Sequence, residues 1–442
     1  MTTPLKFLLV AATVITSACD FNVQNPNSPD PIGQNPSREQ VAAAAIGLLI
    51  GTQQDAADWV IDVGIIGREA YRFDGSDPRF TSELLTGTLD PGGAAFGGDH
   101  WLEQYRTIRS ANNLLAVLPT SSDLSAQEQS AAAGFARTIK AYNFLRLVNG
   151  HTQDSIPIAV DIPPEGAPAP FVSNAAAFAY IVALLDSALT DLQNGGADFP
   201  FEMSNGFAGF TTPTSFAQFN RALRARVDVY MGNYAGALTA LAASFIDTLG
   251  SFDLDAGVYN SFGTGPGELA NALSQNPQTG ENFAHPSLEA DAQQQPGGAL
   301  DQRFLDKVVG RGSTTVDNLT SDLGWIRYPS PASPIPIIRN EELILLRAEA
   351  NIGLGQFAAA TDDINFVRVN SGGLAPIAVP GSGTAALDAL LYEKRYSLLY
   401  EGGHRWIDMR RYGRLDQLPL DRVGDLVYPT YPIPTNEVLP RQ

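Results

Sequence analysis

Apolar residues recur every third or fourth position over most of the chain, the period of an amphipathic helix. The run 38–54 follows Ser37, a good N-cap, and opens the series. In 100–118, Trp101, Tyr105, Ile108, Asn112 and Leu115 fall on one face, and Pro119 closes the run. In 126–148, Phe135, Ile139, Tyr142 and Leu145 or Arg146 do the same before Asn149-Gly150. In 174–192, Phe178, Ile181, Leu185 and Leu189 precede Gly195-Gly196. The stretches 214–230 and 234–249 form a pair, 340–354 and 357–369 another, and 385–400 follows. Sustained alternation of apolar and polar residues is missing, which disfavours a sandwich or barrel. The pattern predicts an all-α, mostly helical body.

The two pairs resemble each other. ALRARVDVYMGNYAGA (222–237) and LLRAEANIGLGQFAAA (345–360) share Leu223/Leu346, Arg224/Arg347, Ala225/Ala348, Gly232/Gly355, Tyr234/Phe357, Ala235/Ala358 and Ala237/Ala360. A small Ala lets two helices approach, a Gly ends the first helix at its C-cap, and the aromatic staples the second helix to the first. This is the tetratricopeptide-like helical hairpin pattern, here interrupted rather than tandem. Insertions fall at 55–99, 150–173, 195–213, 250–339 and 371–384. With 41 glycines and 30 prolines in 442 residues, long loops accompany the helices. The loop-rich 250–339 segment is too long to be structureless in a compact domain, so irregular structure packed on the helices is expected. Loops on a rigid scaffold are where binding residues gather.

The N-terminus changes the compartment. Lys6 and the apolar stretch Phe7 to Ile15, then Ser17 and Ala18, lead into Cys19, the one cysteine of the chain. This resembles a bacterial lipoprotein signal: residues 1–18 are removed and Cys19 is lipidated. Residues 19–37, rich in Asn and Pro, read as a tether between the lipid and a body spanning 38–442. No later segment holds 18 apolar residues in a row, so the anchor is lipid rather than a spanning helix.

Composition and motifs remove whole classes of chemistry. A net charge of −19 repels nucleic acid, and one cysteine excludes disulfides within the chain and multi-cysteine metal sites. The four histidines are too scattered for a local zinc motif, and no metal or cofactor is expected. The phosphate-loop, nucleophile-elbow, zinc-protease and dinucleotide fingerprints are all missing. GTGPG (263–267) reads as a flexible turn. No catalytic residue stands out, although a glycosidase carboxylate pair is never visible in one sequence.

Several C-terminal motifs carry a resemblance: Pro336-Ile337-Ile338-Arg339-Asn340-Glu341-Glu342, Leu346-Arg347-Ala348-Glu349-Ala350, Glu393-Lys394-Arg395, the run from Tyr400 to Arg411, and Tyr431-Pro432-Ile433-Pro434. Their order, with Trp101, Tyr105, Asn112 and Asn113 in an early helix, resembles the SusD/RagB family of nutrient-binding outer-membrane lipoproteins. Two departures are Gly403, an extra residue before His404-Arg405, and Ser397, where a Glu is common. The resemblance implies a surface-exposed, lipid-anchored outer-membrane protein. It would bind glycans or another nutrient and hand them to a SusC-like TonB-dependent transporter, without being an enzyme. The competing readings are a tetratricopeptide-type scaffold for envelope proteins and, less favoured, a glycoside hydrolase.

Residue chemistry offers binding candidates within that frame. Sugars are held by exposed aromatic faces flanked by hydrogen-bonding side chains. Phe73, Asp74 and Arg79 in YRFDGSDPRF, and Trp325, Arg327 and Tyr328 in GWIRY, have that composition. The aromatics Phe252, Tyr259 and Phe262 form a third candidate. Glu401, Arg405, Trp406, Asp408 and Arg411 are instead expected to form a structural network, with the arginines pairing Glu393, Glu401 or Glu349.

Overall fold

Helices carry most of the computed structural model, which describes residues 32–92, 96–151, 156–162, 166–250 and 252–441. Cys19, the signal and the tether up to residue 31 lie outside the described residues. The end of the tether is docked. The Ser121 hydroxyl donates to the Pro36 carbonyl at 2.7 Å, and the Thr120 hydroxyl accepts from the Asn35 amide.

In chain order the helices are α1 (Arg38–Gln54), α2 (Ala56–Ile66), α3 (Phe96–Val117), α4 (Ala126–Gly150), α5 (Asn174–Gln193), α6 (Pro213–Tyr230) and α7 (Tyr234–Ala242). The short α8 (Ser287–Ala290) and α9 (Gln302–Lys307) follow, then α10 (Asn340–Gly353), α11 (Phe357–Asn370), α12 (Gly383–Ser397), α13 (His404–Arg411) and α14 (Thr435–Val438). Capping boxes fix the starts of α1, α4 and α6 through Ser37, Ser125 and Thr212. Sequential helices pack on one another from α3 through α7. The α5 helix is long and apolar enough to cross a membrane by length and composition. Its buried line, Ala177, Ile181, Leu185, Ala188 and Leu192, packs as one face of a surface helix. The α2 helix was hidden in the 55–99 insertion because all its residues but Asp58 are buried, so it has no polar face to mark its period.

The repeat appears as two equivalent hairpins, α6–α7 and α10–α11. Gly232 and Gly355 take left-handed φ values of 74° and 73° just past the first helix. The Asn233 amide then donates to Asp228 O, and the Gln356 amide to Asn351 O, each at 2.8 Å, which is the same Schellman closure twice. The aromatic works differently from the expected staple. Tyr234 packs against Gly353 of the following hairpin, where an added Cβ would meet the ring at 2.1 Å. Phe357 likewise lies against Gly383 at the start of α12. The rings therefore join one helical unit to the next.

The 250–339 insertion is more regular than its composition suggested. The strands are β1 (Ala70–Arg72), β2 (Ile156–Pro157), β3 (Phe171–Val172), β4 (Gly257–Asn260), β5 (Asn282–Ala284), β6 (Val308–Val316), β7 (Leu319–Trp325) and β8 (Ile335–Arg339). They form an antiparallel sheet in the order β1-β5-β7-β6 and two ribbons, β2-β3 and β4-β8. Asp317 and Asn318, at φ 53° and 62°, turn β6 into β7. Paired positive φ values suit the right-handed twist of a two-residue hairpin. The hairpin leaves no mark on the sequence pattern because β6 is mostly exposed on both faces beyond Val308, so it shows no alternation. One apolar core lies among α1 and α3–α7, and a second lies between the sheet, α2 and the turn into α13.

Ala225 and Ala348 are fully buried at matching positions of α6 and α10. Ala225→Leu and Ala348→Leu should each overpack a helix contact and cost about 1–3 kcal/mol. Chemical denaturation of the two variants checks this, and unchanged midpoints in both would remove the equivalence of the hairpins.

Candidate functional site

An open cleft of 600 Å³ lies where the C-terminal end of α1 meets β4 and the loops 203–206, 261–269 and 332–334. No lining residue comes from the α6–α7 or α10–α11 hairpins. Its walls carry the half-buried rings of Tyr259 and Phe262, with Met203 and Ile50 beside them. Gln53, Gln54, Ser204, Asn205 and Ser261 supply amides and hydroxyls. A neighbouring hollow of 280 Å³ shares Ile50, Gln53, Met203, Ser204, Tyr259 and Ser261, so the two form one groove along Tyr259.

Backbone packing sets this wall. Tyr259 sits in β4 opposite Pro336 of β8, at a register shift between Val258 and Tyr259. Its hydroxyl donates to the Asp255 carbonyl, which fixes the ring. The 204–207 turn approaches so closely that a Cβ on Gly206 would stand 2.0 Å from the Tyr259 carbonyl, and the Gly206 amide donates to Ser261 Oγ at 2.7 Å. The Gln53 amide donates to the Ser261 carbonyl, tying α1 to the same strand end. GTGPG is part of the rim. Glu268 accepts from the Gly265 amide at 2.7 Å and packs where a Cβ on Gly263 would be. The sequence signal for that rim was the Glu directly behind the glycines, an acceptor placed to close the turn.

Behind the cleft lies a buried ion cluster. The Glu401 carboxylate accepts from Arg339 at 2.9 Å, Lys307 at 3.1 Å and Arg327 at 3.2 Å. Burial opposes its ionisation. Arg339, then Lys307 and Arg327, outweigh burial and hold the carboxyl well below the usual range. Burial pulls the Lys307 ammonium down to about 8 even beside Glu401. Arg339 also pairs with Glu341, which accepts a 2.6 Å bond from the Ser397 hydroxyl. A polar hollow of 380 Å³, lined by Arg327, Arg339 and Glu401 among others, opens onto this cluster.

Residues 286–435 match the SusD family model, which describes SusD_RagB proteins. No curated protein matches the sequence. Solved structures reproduce the fold over nearly its whole length. A SusD-like carbohydrate-binding protein from Bacteroides fragilis has a TM-score of 0.72 at 17% identity, covering 91% of this chain and 98% of its own. A SusD superfamily protein from Bacteroides vulgatus gives 0.69 at 16%, covering 92% and 98%. A laminarin-binding SusD-like protein gives 0.67 at 18%, with the same 92% and 98%. Residues 286–435 carry the SusD-family pattern, and the chain as a whole shares the SusD-like fold.

In this SusD-type frame the residues singled out from sequence scatter. Tyr259 reaches the cleft and Arg327 reaches the polar hollow. Trp325 does not offer a face to ligand: it is 5% exposed and stacks on Tyr400 at 4.0 Å with the rings 6° apart. Tyr328 is buried and donates to the Tyr400 carbonyl at 2.9 Å. Phe73 is buried between Tyr71 and Phe283. Burying such rings yields about 1.5–3 kcal/mol each, which outweighs leaving them for a ligand. Asp74 is spent on its own loop. Its carboxylate accepts from the Ser76 hydroxyl and amide and from Arg72, and these bonds lower it to about 2. Arg79 is exposed and lies over the Phe96 ring, paired with Asp77. Phe252 packs on Phe366. The sequence pattern groups Phe262 with Tyr259, and the structure brings Gln53 and Met203 to those two rings without any signal in the sequence. They come from three separate segments that only the fold brings together.

The C-terminal motif does form a network, with one exception. Glu349 accepts from Arg411 at 2.7 Å and Lys394 at 2.8 Å, and Asp408 accepts from Arg411 at 2.8 Å. Trp406 is fully buried and donates to Tyr428 O at 2.7 Å. Gly403 starts α13 at φ 77°, where a Cβ would meet Val63 at 2.5 Å. Arg405 pairs with none of the expected carboxylates. Glu393 takes Arg303 and Arg368, and Glu401 takes the cluster above. His285 sits between Ser287 and Asp421 at 2.8 and 3.1 Å, the composition of a hydrolytic triad. Its Nδ1 also faces the Ser287 amide, and Ser287 Oγ accepts from Arg395, so the hydroxyl is held in structure. Among the described residues, no group of three or more His, Cys, Asp or Glu is placed to hold a metal.

Glu401→Ala should strand three buried cations and cost about 3–5 kcal/mol in a denaturation experiment at pH 7. The folded carboxyl titrates below its ordinary value of 4.5, so its contribution is present above that pH and lost as pH falls through the lower folded value. The gap between wild type and variant should therefore narrow on acidification. A gap that widens there would contradict this role.

Proposed function

We propose that the protein binds an oligosaccharide in the Tyr259–Phe262 cleft and passes it to a SusC-like TonB-dependent transporter, as a lipid-anchored protein of the outer-membrane surface. The observation that carries this reading is the cleft itself. Two half-buried rings flank it, and amides and hydroxyls from Gln53, Gln54, Asn205 and Ser261 line it. Rings stack on the C–H faces of a sugar while amides and hydroxyls bond its hydroxyls, which is the mixed lining such a site needs. The cleft lies away from the repeat hairpins, as expected for a scaffold that positions loops. The carbohydrate-binding and laminarin-binding structures of the same fold point the same way.

The cleft is built for binding rather than hydrolysis. Glycosidases place two carboxyl groups across the scissile bond. The groove carries Glu268 in the main cleft and Glu202 in the adjoining hollow, and the Gly265 amide already occupies the Glu268 carboxylate. Purified protein should therefore leave an oligosaccharide intact, and release of shorter sugars would refute the non-enzymatic reading. The transporter and the anchor are supported by the likeness to SusD-type proteins and by the lipoprotein-like signal before Cys19.

Two outcomes test the proposal. On a glycan array followed by calorimetry, wild type should bind a neutral oligosaccharide with micromolar to millimolar affinity, about 4–8 kcal/mol. Tyr259→Ala and Phe262→Ala should each weaken binding by about 1 kcal/mol, roughly fivefold, at unchanged fold. Undiminished binding in the double variant would move the site elsewhere. Separately, palmitate should label the wild type in cells and should not label Cys19→Ser. Equal labelling of the two would refute the anchor.

A further inference from the structure

The second pocket of interest lies on the far part of the chain and shares no lining residue with the cleft. It has a volume of 270 Å³ between α12, α13 and the segment 414–417. Lys394, Arg395, Arg405 and Arg414 line it, against Asp388 and Asp408, with Tyr392, Leu391 and Met409 as apolar walls.

The cations differ in how they are satisfied. Lys394 is held by Glu349 at 2.8 Å and Asp408 at 2.6 Å. Arg395 is held by Asp291 at 2.6 Å and by Ser287, and Arg414 by Asp388. Arg405 has no carboxylate within ion-pair distance among the described residues, and its Nε is buried without a hydrogen-bond partner. Glu69, the acid that favours its charge most, forms no ion pair with it and is pushed up to about 7 by burial, so it is a weak counter-charge. Burial, and then the like charge of Arg395, both disfavour the Arg405 cation. A guanidinium keeps its proton regardless, so the charge stays and lacks compensation. Arg405 is half-buried, so a cation partly removed from water and left without a counter-charge has donors free to meet an anion.

We propose that this pocket is an oxyanion site, taking a carboxylate or sulfate group carried on a ligand no larger than about one sugar ring. Arg405 supplies the planar donor fork that matches such a group, with Arg395 beside it. Tyr392 and Met409 supply an apolar wall for the rest of the ligand. The chain carries a net charge of −19, so an anion reaches this surface only where basic groups are concentrated locally. The site is independent of the glycan cleft and stands or falls separately from it.

Calorimetry with the purified full chain tests it, using potassium sulfate, sodium galacturonate and galactose as probes at constant ionic strength. One or both anions should bind and galactose should not. Binding of galacturonate alone marks a sugar acid as the ligand class, and binding of sulfate alone marks a free oxyanion. Arg405→Gln should weaken the anion by about tenfold or more, in line with loss of a charged hydrogen bond. Gln417→Glu changes an exposed side chain at the pocket rim, so it keeps the test open should Arg405→Gln fail to fold, and it should also weaken binding. Tyr259→Ala should leave anion binding unchanged. Absence of heat with both anions, galactose binding as strongly as galacturonate, or anion affinity unchanged in the folded variants would overturn the proposal.

Discussion

Glu401 is the point on which the inserted sheet and the helical stack depend together. Its carboxylate, 3% exposed, receives cations from three different segments: Lys307 at the end of α9, Arg327 after β7 and Arg339 at the junction of β8 and α10. Arg339 closes the β4–β8 ribbon opposite Gly257, two residues from Tyr259. Desolvated charges tolerate only a geometry in which each finds its partner, so a shift of the sheet against α10 would strand several at once. The cleft wall is therefore positioned by electrostatics behind it as much as by the rings that face it.

The hairpins add a second constraint of a different kind. Their turns are set by backbone geometry at Gly232 and Gly355, and their stacking by rings that reach forward into the next unit. Close approach at Gly353 leaves no room for a side chain facing Tyr234. This scaffold presents none of its own residues to the main cleft, which is walled by the end of α1 and by loops. A rigid helical frame with separate binding loops allows the ligand site to vary while the frame is kept.

The helical body was legible from periodicity wherever one face of a helix is buried and the other wet. It was illegible in α2, whose residues are nearly all buried, and in β6, whose residues beyond Val308 are mostly exposed. Both lack the contrast on which periodicity relies. The side chains that line the cleft were harder still. Trp325 and Phe73 have the composition of a sugar platform, and in the fold they complete a core beneath the inserted sheet. Aromatic burial and aromatic display draw on the same residue types, so composition alone does not separate them. Tyr259 and Phe262 come from the same short run of sequence, but Gln53, Met203 and Pro334 come to them from segments far apart in the chain. Arg405 shows the converse: its motif reads as structural, yet it alone of that motif's charged residues faces a pocket without a partner.

The central claim is that ligand is held at the β4 cleft and not on the repeat hairpins. Hydrogen exchange followed by mass spectrometry, with and without the strongest neutral oligosaccharide from the array, measures this along the whole chain at once. The account predicts slower exchange confined to residues 203–206 and 259–269 and the end of α1, with α7 and α11 unchanged. Protection concentrated on α7 or α11, with the cleft loops exchanging as before, would contradict it.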